Sequence, residues 1–203
     1  MVMTVGDRWS YDTTHTKSVS FYDHHILTTV TKDPNSVTTW ISETNRQLNH
    51  RRPVVGLDVE WTPSFLPAIE NRVAIIQLCF SNRCLIFQII HAHYIPRSLF
   101  DFLNNPSYTF TGVGIRADVE KLVRHYGIGL AANVVELGWL AAEVYGEEHM
   151  KVVMGMEVEK PRNVAVSKWD NRWLSPEQMD YASIDGFLSY EIGRRLFLIK
   201  PEF

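Results

Sequence analysis

Hydrophobic and polar residues recur with two different spacings along the chain, and these spacings predict an alternation of strands and helices. Residues 17–32 carry many β-branched and aromatic side chains on either side of a polar break, which predicts a hairpin or two short strands. Asp33 and Pro34 then form a typical helix start, and apolar positions at helical spacing continue to Leu48. The apolar run at 54–61 predicts the next strand.

The second half of the chain continues this alternation. Residues 73–80 and 84–90 predict two apolar strands, and the turn at Ser81 and Asn82 favours an antiparallel hairpin. The elements predicted after the hairpin are, in order, a short helix at 97–104, a strand at 108–111, a helix at 115–126, a helical segment at 136–145 and an irregular segment at 146–168.

The strand at 54–61 contains residues that plain structure explains poorly. Side-chain alternation gives it two faces, with Val55, Leu57 and Val59 on one and Gly56, Asp58 and Glu60 on the other. The two carboxylates therefore point the same way, about 7 Å apart along the strand. Asp and Glu are poor strand formers, and like charges beside an apolar strand repel. A divalent cation such as Mg²⁺ or Mn²⁺ would offset this charge, whereas the alternative is an edge strand with a solvated acidic face.

Composition sets the outer bounds. With 45% hydrophobic and 21% charged residues, the 203-residue chain is predicted to form one domain, 1–203. Cys79 and Cys84 lie in apolar runs, which predicts reduced, buried thiols and an intracellular protein of the nucleus or cytoplasm. We expect no secretion signal at the N-terminus and no membrane span. The net charge of -3 gives no global signature of nucleic-acid binding.

Two interpretations apply to the glycines that follow the strand at 108–111. The pattern Gly112-x-Gly114-x-x-Ala117 matches the dinucleotide-binding fingerprint, and Glu136 lies about 20 residues on, where that fold places a ribose-binding acid. The alternative places Asp118 in the first turn of the following helix, where the helix dipole favours an anion and the side chain can face the sheet.

A long helix near the C-terminus has the clearest start signal in the chain. Ser175, Pro176 and Gln178 form a capping box with proline at the first helical position, and the predicted helix runs to about residue 198. Tyr181 and Asp185 are four residues apart, so they share one face of this helix.

Several of these segments, in this order and setting, resemble the motifs of the DEDDy 3′-5′ exonucleases, most closely the Werner-type branch. The motifs are Leu57-Asp58-Val59-Glu60-Trp61, Arg72-Val73-Ala74-Ile75-Ile76-Gln77-Leu78-Cys79, Gly112-Val113-Gly114-Ile115 with Asp118, and Leu174-Ser175-Pro176-Glu177-Gln178 with Tyr181-Ala182 and Asp185. The resemblance covers about 53–199 and is weaker over 1–52. Residues 147–160 are shorter than the family's usual segment there, which borders the substrate groove.

The resemblance implies an α/β fold of the RNase H-like (DnaQ-like exonuclease) type, a mixed sheet flanked by helices. It implies a hydrolase that removes nucleotides from the 3′ ends of DNA or RNA with two divalent cations, Mg²⁺ or Mn²⁺. The implied metal ligands are Asp58, Glu60, Asp118 and Asp185. Tyr181 completes the catalytic set by orienting water, because a phenol with an ordinary pKa near 10 is a poor base at neutral pH.

Substrate contacts are expected at Trp61, Arg116, Lys168 and Arg172. The remaining candidate cations are Lys121, Arg124, Lys160 and Arg162. The expected partners are nucleic acid, further copies of the chain and a separate helicase. Two other functions stay open: a catalytically weak nucleic-acid-binding or assembly protein with an exonuclease fold, and a dinucleotide-binding protein.

Overall fold

Seven strands form one mixed sheet at the centre of the molecule. The computed structural model describes residues 13–47, 53–64, 66, 70–145 and 161–199. Within them the strand order is β1-β2-β5-β4-β3-β6-β7. The strands are β1 (Thr14–Phe21), β2 (His24–Thr31), β3 (Val54–Glu60), β4 (Ile75–Phe80), β5 (Arg83–Phe87), β6 (Thr109–Gly112) and β7 (Val134–Glu136). Three pairs are antiparallel, β1–β2, β3–β4 and β4–β5, and the other three are parallel.

Helices cover both faces of this sheet. They are α1 (Pro34–Gln47), α2 (Arg97–Leu103), α3 (Ile115–Tyr126), α4 (Leu137–Tyr145), α5 (Arg162–Ala165) and α6 (Pro176–Ile199), with a 3-10 turn at Ile89–His91. The mixed sheet flanked by helices confirms the predicted fold class. Among the described helices, none combines the length and the apolar character that a membrane crossing requires.

The central strand β3 separates two chemically different faces of the sheet. Val55, Leu57 and Val59 are buried in a large hydrophobic cluster with side chains of α1, α2 and α3. We call this side the apolar face. Helix α6 packs across the opposite side, which we call the α6 face, and it contacts β1 to β6. The predicted alternation along β3 is therefore confirmed for its apolar residues.

Glycines allow α6 to lie directly on the sheet. A Cβ atom at Gly56 would collide with the carbonyl oxygen of Gly186 and lie 2.5 Å from the backbone nitrogen of Tyr190. A Cβ atom at Gly193 would lie 2.5 Å from Thr111 Oγ1. Because only glycine fits at these crossings, the backbone of α6 approaches β3 closely enough to bring its side chains against those of the strand.

Both predicted helix caps are present. Asp33 accepts hydrogen bonds from the backbone nitrogens of Asn35 and Ser36, each at 3.1 Å, at the start of α1. At the start of α6, Gln178 N donates to Ser175 Oγ at 3.2 Å and Ser175 N donates to Gln178 Oε1 at 2.9 Å. These reciprocal bonds satisfy backbone donors that the first helical turn leaves free.

Some predicted boundaries were wrong. Strand β5 ends at Phe87 rather than residue 90, and the apolar residues beyond it form the 3-10 turn. Residue 136, predicted to begin a helix, instead ends β7, which pairs with β6 through Phe110↔Val134 and Gly112↔Glu136. Partners more than twenty residues away determine this strand, so local periodicity does not reveal it. Most of the predicted irregular segment, residues 146–160, lies outside the described residues.

The expectation of reduced thiols was also wrong. Cys79 and Cys84 form a disulfide bond across the β4–β5 hairpin. The two-residue turn at Ser81 and Asn82 makes Phe80 and Arg83 register partners, so the two cysteines are the next pair along the ladder. Directly opposite side chains share one face of a sheet and are close enough to bond. The predicted hairpin already places the two cysteines opposite each other, so its register contradicts the expectation of free thiols.

Candidate metal centre

Three carboxylates meet where α6 crosses the carboxyl end of β3. Asp58, Glu60 and Asp185 each offer an oxygen, and these oxygens lie within 4.8 Å of one another. Asp185 is only 6% exposed, while Asp58 and Glu60 are half-buried. Asp58 Oδ1 accepts a hydrogen bond from the backbone nitrogen of Val59 at 3.0 Å. Three negative charges at this spacing repel one another, and hard oxygen ligands in this number and spacing suit a divalent cation.

Tyr181 lies beside this carboxylate group, one helical turn before Asp185. Burial raises the pKa of its phenol, and the charges of Asp185, Glu60 and Asp58 and a hydrogen bond to Asp185 raise it further. The hydroxyl therefore keeps its proton at neutral pH and acts as a hydrogen-bond donor. This chemistry agrees with the expected role in orienting water and disagrees with a role as a base.

Gln77 is a buried amide beside the same carboxylates. It is the register partner of Asp58 across β3 and β4, so the two side chains point to the same face. A Cβ atom at Gly186 would lie 3.3 Å from Gln77 Cβ, which places Gln77 under the helix turn that carries Asp185. The residue is fully buried, and neither of its amide atoms has a hydrogen-bond partner among the described residues. An amide in this state accommodates a polar group bound to the carboxylates.

Asp118 lies outside the three-carboxylate group. It occupies the first turn of α3, as predicted, and is 7% exposed. Burial and, after it, the charge of Glu136 raise the pKa of Asp118, and the charge of Lys121 partly offsets them, so that the pKa is about 7. The structure therefore places this carboxyl near Glu136 and Lys121 and does not bring it within the 4.8 Å group formed by the other three acids.

The glycines of the possible dinucleotide fingerprint have structural roles here. The backbone nitrogen of Gly114, at the N-cap of α3, donates to Glu136 Oε1 at 3.0 Å. A Cβ atom at Gly112 would lie 2.5 Å from the carbonyl oxygen of Leu57, so glycine is needed for strand packing. The backbone N–H that would have to bind a pyrophosphate is thus already hydrogen-bonded to a carboxylate. This argues against the dinucleotide alternative.

The predicted substrate-contacting residues lie on two surfaces. Trp61 follows β3 and is half-buried, with Lys121 Nζ 4.4 Å from its ring centre. Arg116 is exposed on the first turn of α3. Lys168 and Arg172 are exposed in the segment between α5 and α6.

Two of the remaining candidate cations are already paired. Glu70 binds Lys121 through one carboxylate oxygen and Arg124 through the other, the latter at 2.6 Å. These bonds lower the pKa of Glu70 to about 2. The two cations thus share one carboxylate, so their combined positive charge is reduced, which the sequence did not indicate. Arg162 is exposed in α5, and Lys160 lies outside the described residues.

Gln77 and Glu70 are residues at the site that the sequence did not single out, and Glu136 was considered only as a candidate ribose-binding acid. A signal existed for Gln77, because it is the one polar residue in the apolar run at 73–80. No comparable signal existed for Glu70 or for the bond that Glu136 accepts from Gly114, since these contacts join distant segments of the chain.

The fold and the acidic group together are typical of nucleases of the RNase H-like class. The family model of the DNA polymerase A type 3′-5′ exonuclease domain matches residues 29–197. The chain is 35% identical over 151 residues to the mouse bifunctional 3′-5′ exonuclease/ATP-dependent helicase WRN, and 31% identical over 151 residues to a 3′-5′ exonuclease of Arabidopsis thaliana. Each alignment covers 70% of this chain, but the chain spans only 11% and 52% of the two relatives. The chain belongs to the 3′-5′ exonuclease family.

Solved structures agree on the fold. Escherichia coli RNase D superposes with a TM-score of 0.67 at 17% identity, over 83% of this chain and 44% of RNase D. The EXO domain of Aedes aegypti Nibbler superposes with a TM-score of 0.67 at 16% identity, over 91% of both chains. A third neighbour, the exonuclease domain of EXD2 soaked in Mg and GMP, superposes with a TM-score of 0.51 at 20% identity, over 84% of this chain and 93% of that domain.

Proposed function

We propose that this chain hydrolyses nucleic acids from their 3′ ends with two divalent cations, Mg²⁺ or Mn²⁺, bound at the three-carboxylate group. The observation that carries this proposal is the set of three carboxylate oxygens within 4.8 Å of one another. Membership in the 3′-5′ exonuclease family supports it. Three carboxylate oxygens at this spacing fit a divalent cation better than a neutral ligand.

Each residue of the site has a distinct task in this proposal. Asp58, Glu60 and Asp185 hold the cations, and Asp118 helps to hold the second one from the first turn of α3. When bound, the cations stabilise charge that develops on the scissile phosphate and on the departing 3′ oxygen. Tyr181 uses its retained proton to orient the attacking water, since its pKa is too high for it to remove a proton.

The proposal also covers the nucleic-acid substrate, the residues that contact it and the partners that assist the reaction. The substrate is DNA or RNA with a free 3′ end, contacted by Trp61, Arg116, Lys168 and Arg172. Assembly into a homo-oligomer would raise apparent affinity by offering one strand several sites, and a separate helicase would supply single strands. A nuclear or cytoplasmic location and a single domain over 1–203 complete the proposal.

The decisive experiment uses the full chain with 5′-labelled single-stranded and recessed-end DNA and RNA, in Mg²⁺, Mn²⁺ or EDTA. We expect a ladder of products shortened from the 3′ end in either metal and none in EDTA. Metal-dependent binding without shortening of any substrate would instead support the assembly-protein alternative. Shortening that persists in EDTA would exclude a metal-dependent mechanism.

A further inference from the structure

The segment between α5 and α6 presents an exposed tryptophan beside two cations. Trp173 is 55% exposed, and Lys32 Nζ lies 4.2 Å from its ring centre. Arg172 is exposed, and its charge, together with burial, lowers the pKa of Lys32, so the two cations lie close together. Among the described residues, neither Lys32 nor Arg172 forms an ion pair, whereas Lys121 and Arg124 share Glu70. We call Trp173, Lys32 and Arg172 the tryptophan patch.

Fixed contacts hold this segment against the carboxyl ends of the strands. The backbone nitrogen of Asp170 donates to Thr62 Oγ1 at 3.3 Å, just after β3. Gln88, just after β5, donates from Nε2 to the carbonyl oxygen of Asn171 at 3.2 Å. His91 Nε2 donates to the carbonyl oxygen of Asp170 at 2.9 Å. The segment therefore runs from the end of β3, next to Glu60, past the end of β5.

The strand register gives the distance between the patch and the carboxylates. Thr31, Phe87, Ile76 and Val59 are successive partners in one row across β2, β5, β4 and β3. Lys32 and Glu60 are the residues that follow the two ends of this row. Three strand spacings separate them, which is about 14 Å. At a stacked rise of 3.4 Å this distance spans about four nucleotides, and fewer if the strand is stretched.

We propose that the tryptophan patch is a stacking platform for a base of a single-stranded 3′ end, a few nucleotides upstream of the scissile bond. An exposed indole offers a flat surface on which any base can stack, and neighbouring unpaired cations attract the phosphates on either side. A paired duplex does not offer the faces of its bases to such a ring, so the platform selects unpaired ends. The inference rests on the proposed exonuclease function and specifies its substrate class.

The test compares two lengths of single-stranded substrate in the full chain. We measure kcat/KM in Mn²⁺ on 5′-labelled oligonucleotides of about 2 and 12 nucleotides, because one nucleotide upstream of the scissile bond is too short to reach the patch even when it is stretched. Trp173→Ala lowers the ratio of the two values, longer to shorter, by roughly 10-fold, the effect expected for loss of one stacked base. Trp173→Phe restores most of the ratio, since a phenyl ring also stacks.

Two further variants make the result specific. Lys32→Ala lowers the salt slope of binding to the longer oligonucleotide by about one, as loss of one phosphate contact requires. Tyr22→Ala removes another exposed ring, 82% exposed, from the β1–β2 turn, which lies at the end of β2 away from Lys32, and it leaves the ratio unchanged. The platform is overturned if Trp173→Ala leaves the ratio at its wild-type value. This includes the case in which the variant lowers kcat/KM equally for both lengths.

Binding in EDTA separates this inference from the proposed function. The fluorescence anisotropy of the labelled 12-nucleotide strand measures affinity without cleavage, and Trp173→Ala weakens it by roughly 10-fold. If the wild type cleaves nothing in metal but this difference remains, the exonuclease proposal fails and the platform stands. If the wild type cleaves 3′ ends but the affinities are equal, the platform fails alone.

Discussion

The two faces of the sheet differ in what they bury. The apolar face packs aliphatic and aromatic side chains of β3 to β6 against α1, α2 and α3. The α6 face also buries hydrogen-bonded hydroxyls, such as Thr28 with Ser183 at 2.9 Å and Thr111 with the carbonyl oxygen of Ser189 at 2.6 Å. It buries the carboxylate group and an unpartnered glutamine as well.

The apolar face therefore stabilises the fold, whereas the α6 face carries the candidate metal site. The apolar face removes hydrophobic surface from water, which is the dominant favourable contribution to folding. The α6 face holds like charges together, and this costs stability in the metal-free protein. Because successive residues of β3 point to opposite faces, neighbouring substitutions in that strand separate the two contributions.

The largest contrast is expected between Leu57 and Asp58. Leu57→Ala on the apolar face removes a fully buried side chain and lowers the free energy of unfolding by roughly 2–5 kcal/mol. Asp58→Asn on the α6 face lowers exonuclease kcat/KM by roughly 1000-fold, because a charged metal ligand is lost. Its metal-free stability stays the same or rises, since one repelling charge is removed. Urea unfolding in EDTA and cleavage assays in Mn²⁺ measure the two effects.

The control for the Asp58 variant is Asp101→Asn, which changes an exposed carboxylate that pairs with Arg97 on α2. It leaves activity unchanged. Full activity of Asp58→Asn, or a stability loss as large as that of Leu57→Ala, would remove the division between the faces.

The next effect concerns the phenol of Tyr181. Tyr181→Phe lowers kcat by roughly 10- to 1000-fold with little change in KM, because the hydrogen bond to water is made mainly in the transition state. Steady-state kinetics on a labelled single strand measure both constants. An increase in KM at constant kcat would show that Tyr181 binds substrate instead.

The next effect concerns the buried carboxyl of Asp118 on α3, whose charge is expected to lower the free energy of unfolding of the metal-free protein. Its pKa is raised from 3.8 to about 7, so the folded protein takes up a proton that the unfolded chain takes up only near pH 4. In EDTA, the Asp118 contribution therefore gains stability as the pH falls from about 8 to about 4, with no further gain below. We expect roughly 4 kcal/mol in total, at about 1.4 kcal/mol per pH unit over the roughly three units between the two pKa values.

Asp118→Asn should abolish this contribution and be more stable than the wild type at pH 8 but not at pH 4.5. Urea unfolding of both proteins at the two pH values gives the difference, in which the effects of other titrating groups cancel. If the free energies of unfolding of the wild type and of Asp118→Asn change by the same amount between the two pH values, the pKa of Asp118 is not raised.

The smallest contrast is between two buried glutamines. Gln178 is fully engaged in the cap of α6, where its Nε2 donates to Ser167 Oγ at 2.8 Å, whereas Gln77 has no hydrogen-bond partner among the described residues. Gln77→Leu should raise metal-free stability by about 1 kcal/mol, because it removes a buried amide that makes no bond. Gln178→Leu should lower stability by about 1–3 kcal/mol, because it leaves its partners unsatisfied.

Thermal unfolding with and without Mn²⁺ measures both glutamine variants. Gln77→Leu should also reduce the stabilisation by Mn²⁺, if the amide bonds to the hydrated ion. Destabilisation by Gln77→Leu in EDTA would show that the amide is satisfied in the metal-free protein.

The sequence by itself predicted the elements whose signals are local. Alternation along 54–60 separates Leu57 from Asp58 because the two-residue period of a strand is a covalent property of the backbone. The caps at Asp33 and Ser175 were predicted because each involves residues within three positions. Four carboxylates and Tyr181 were proposed from motifs that resemble a family, and the structure brings Asp58, Glu60 and Asp185 together while Asp118 lies outside their group.

Only the tertiary structure determined the features that depend on distant segments. Strand β7 exists because β6 offers it a partner, and Glu70 forms ion pairs with Lys121 and Arg124 across a gap of about fifty residues. The register of β2, β5, β4 and β3 places Lys32 on the same edge as Glu60. Such contacts follow from the packing of whole elements, where burial and pairing outweigh local preference, and the local sequence carries no record of the partner.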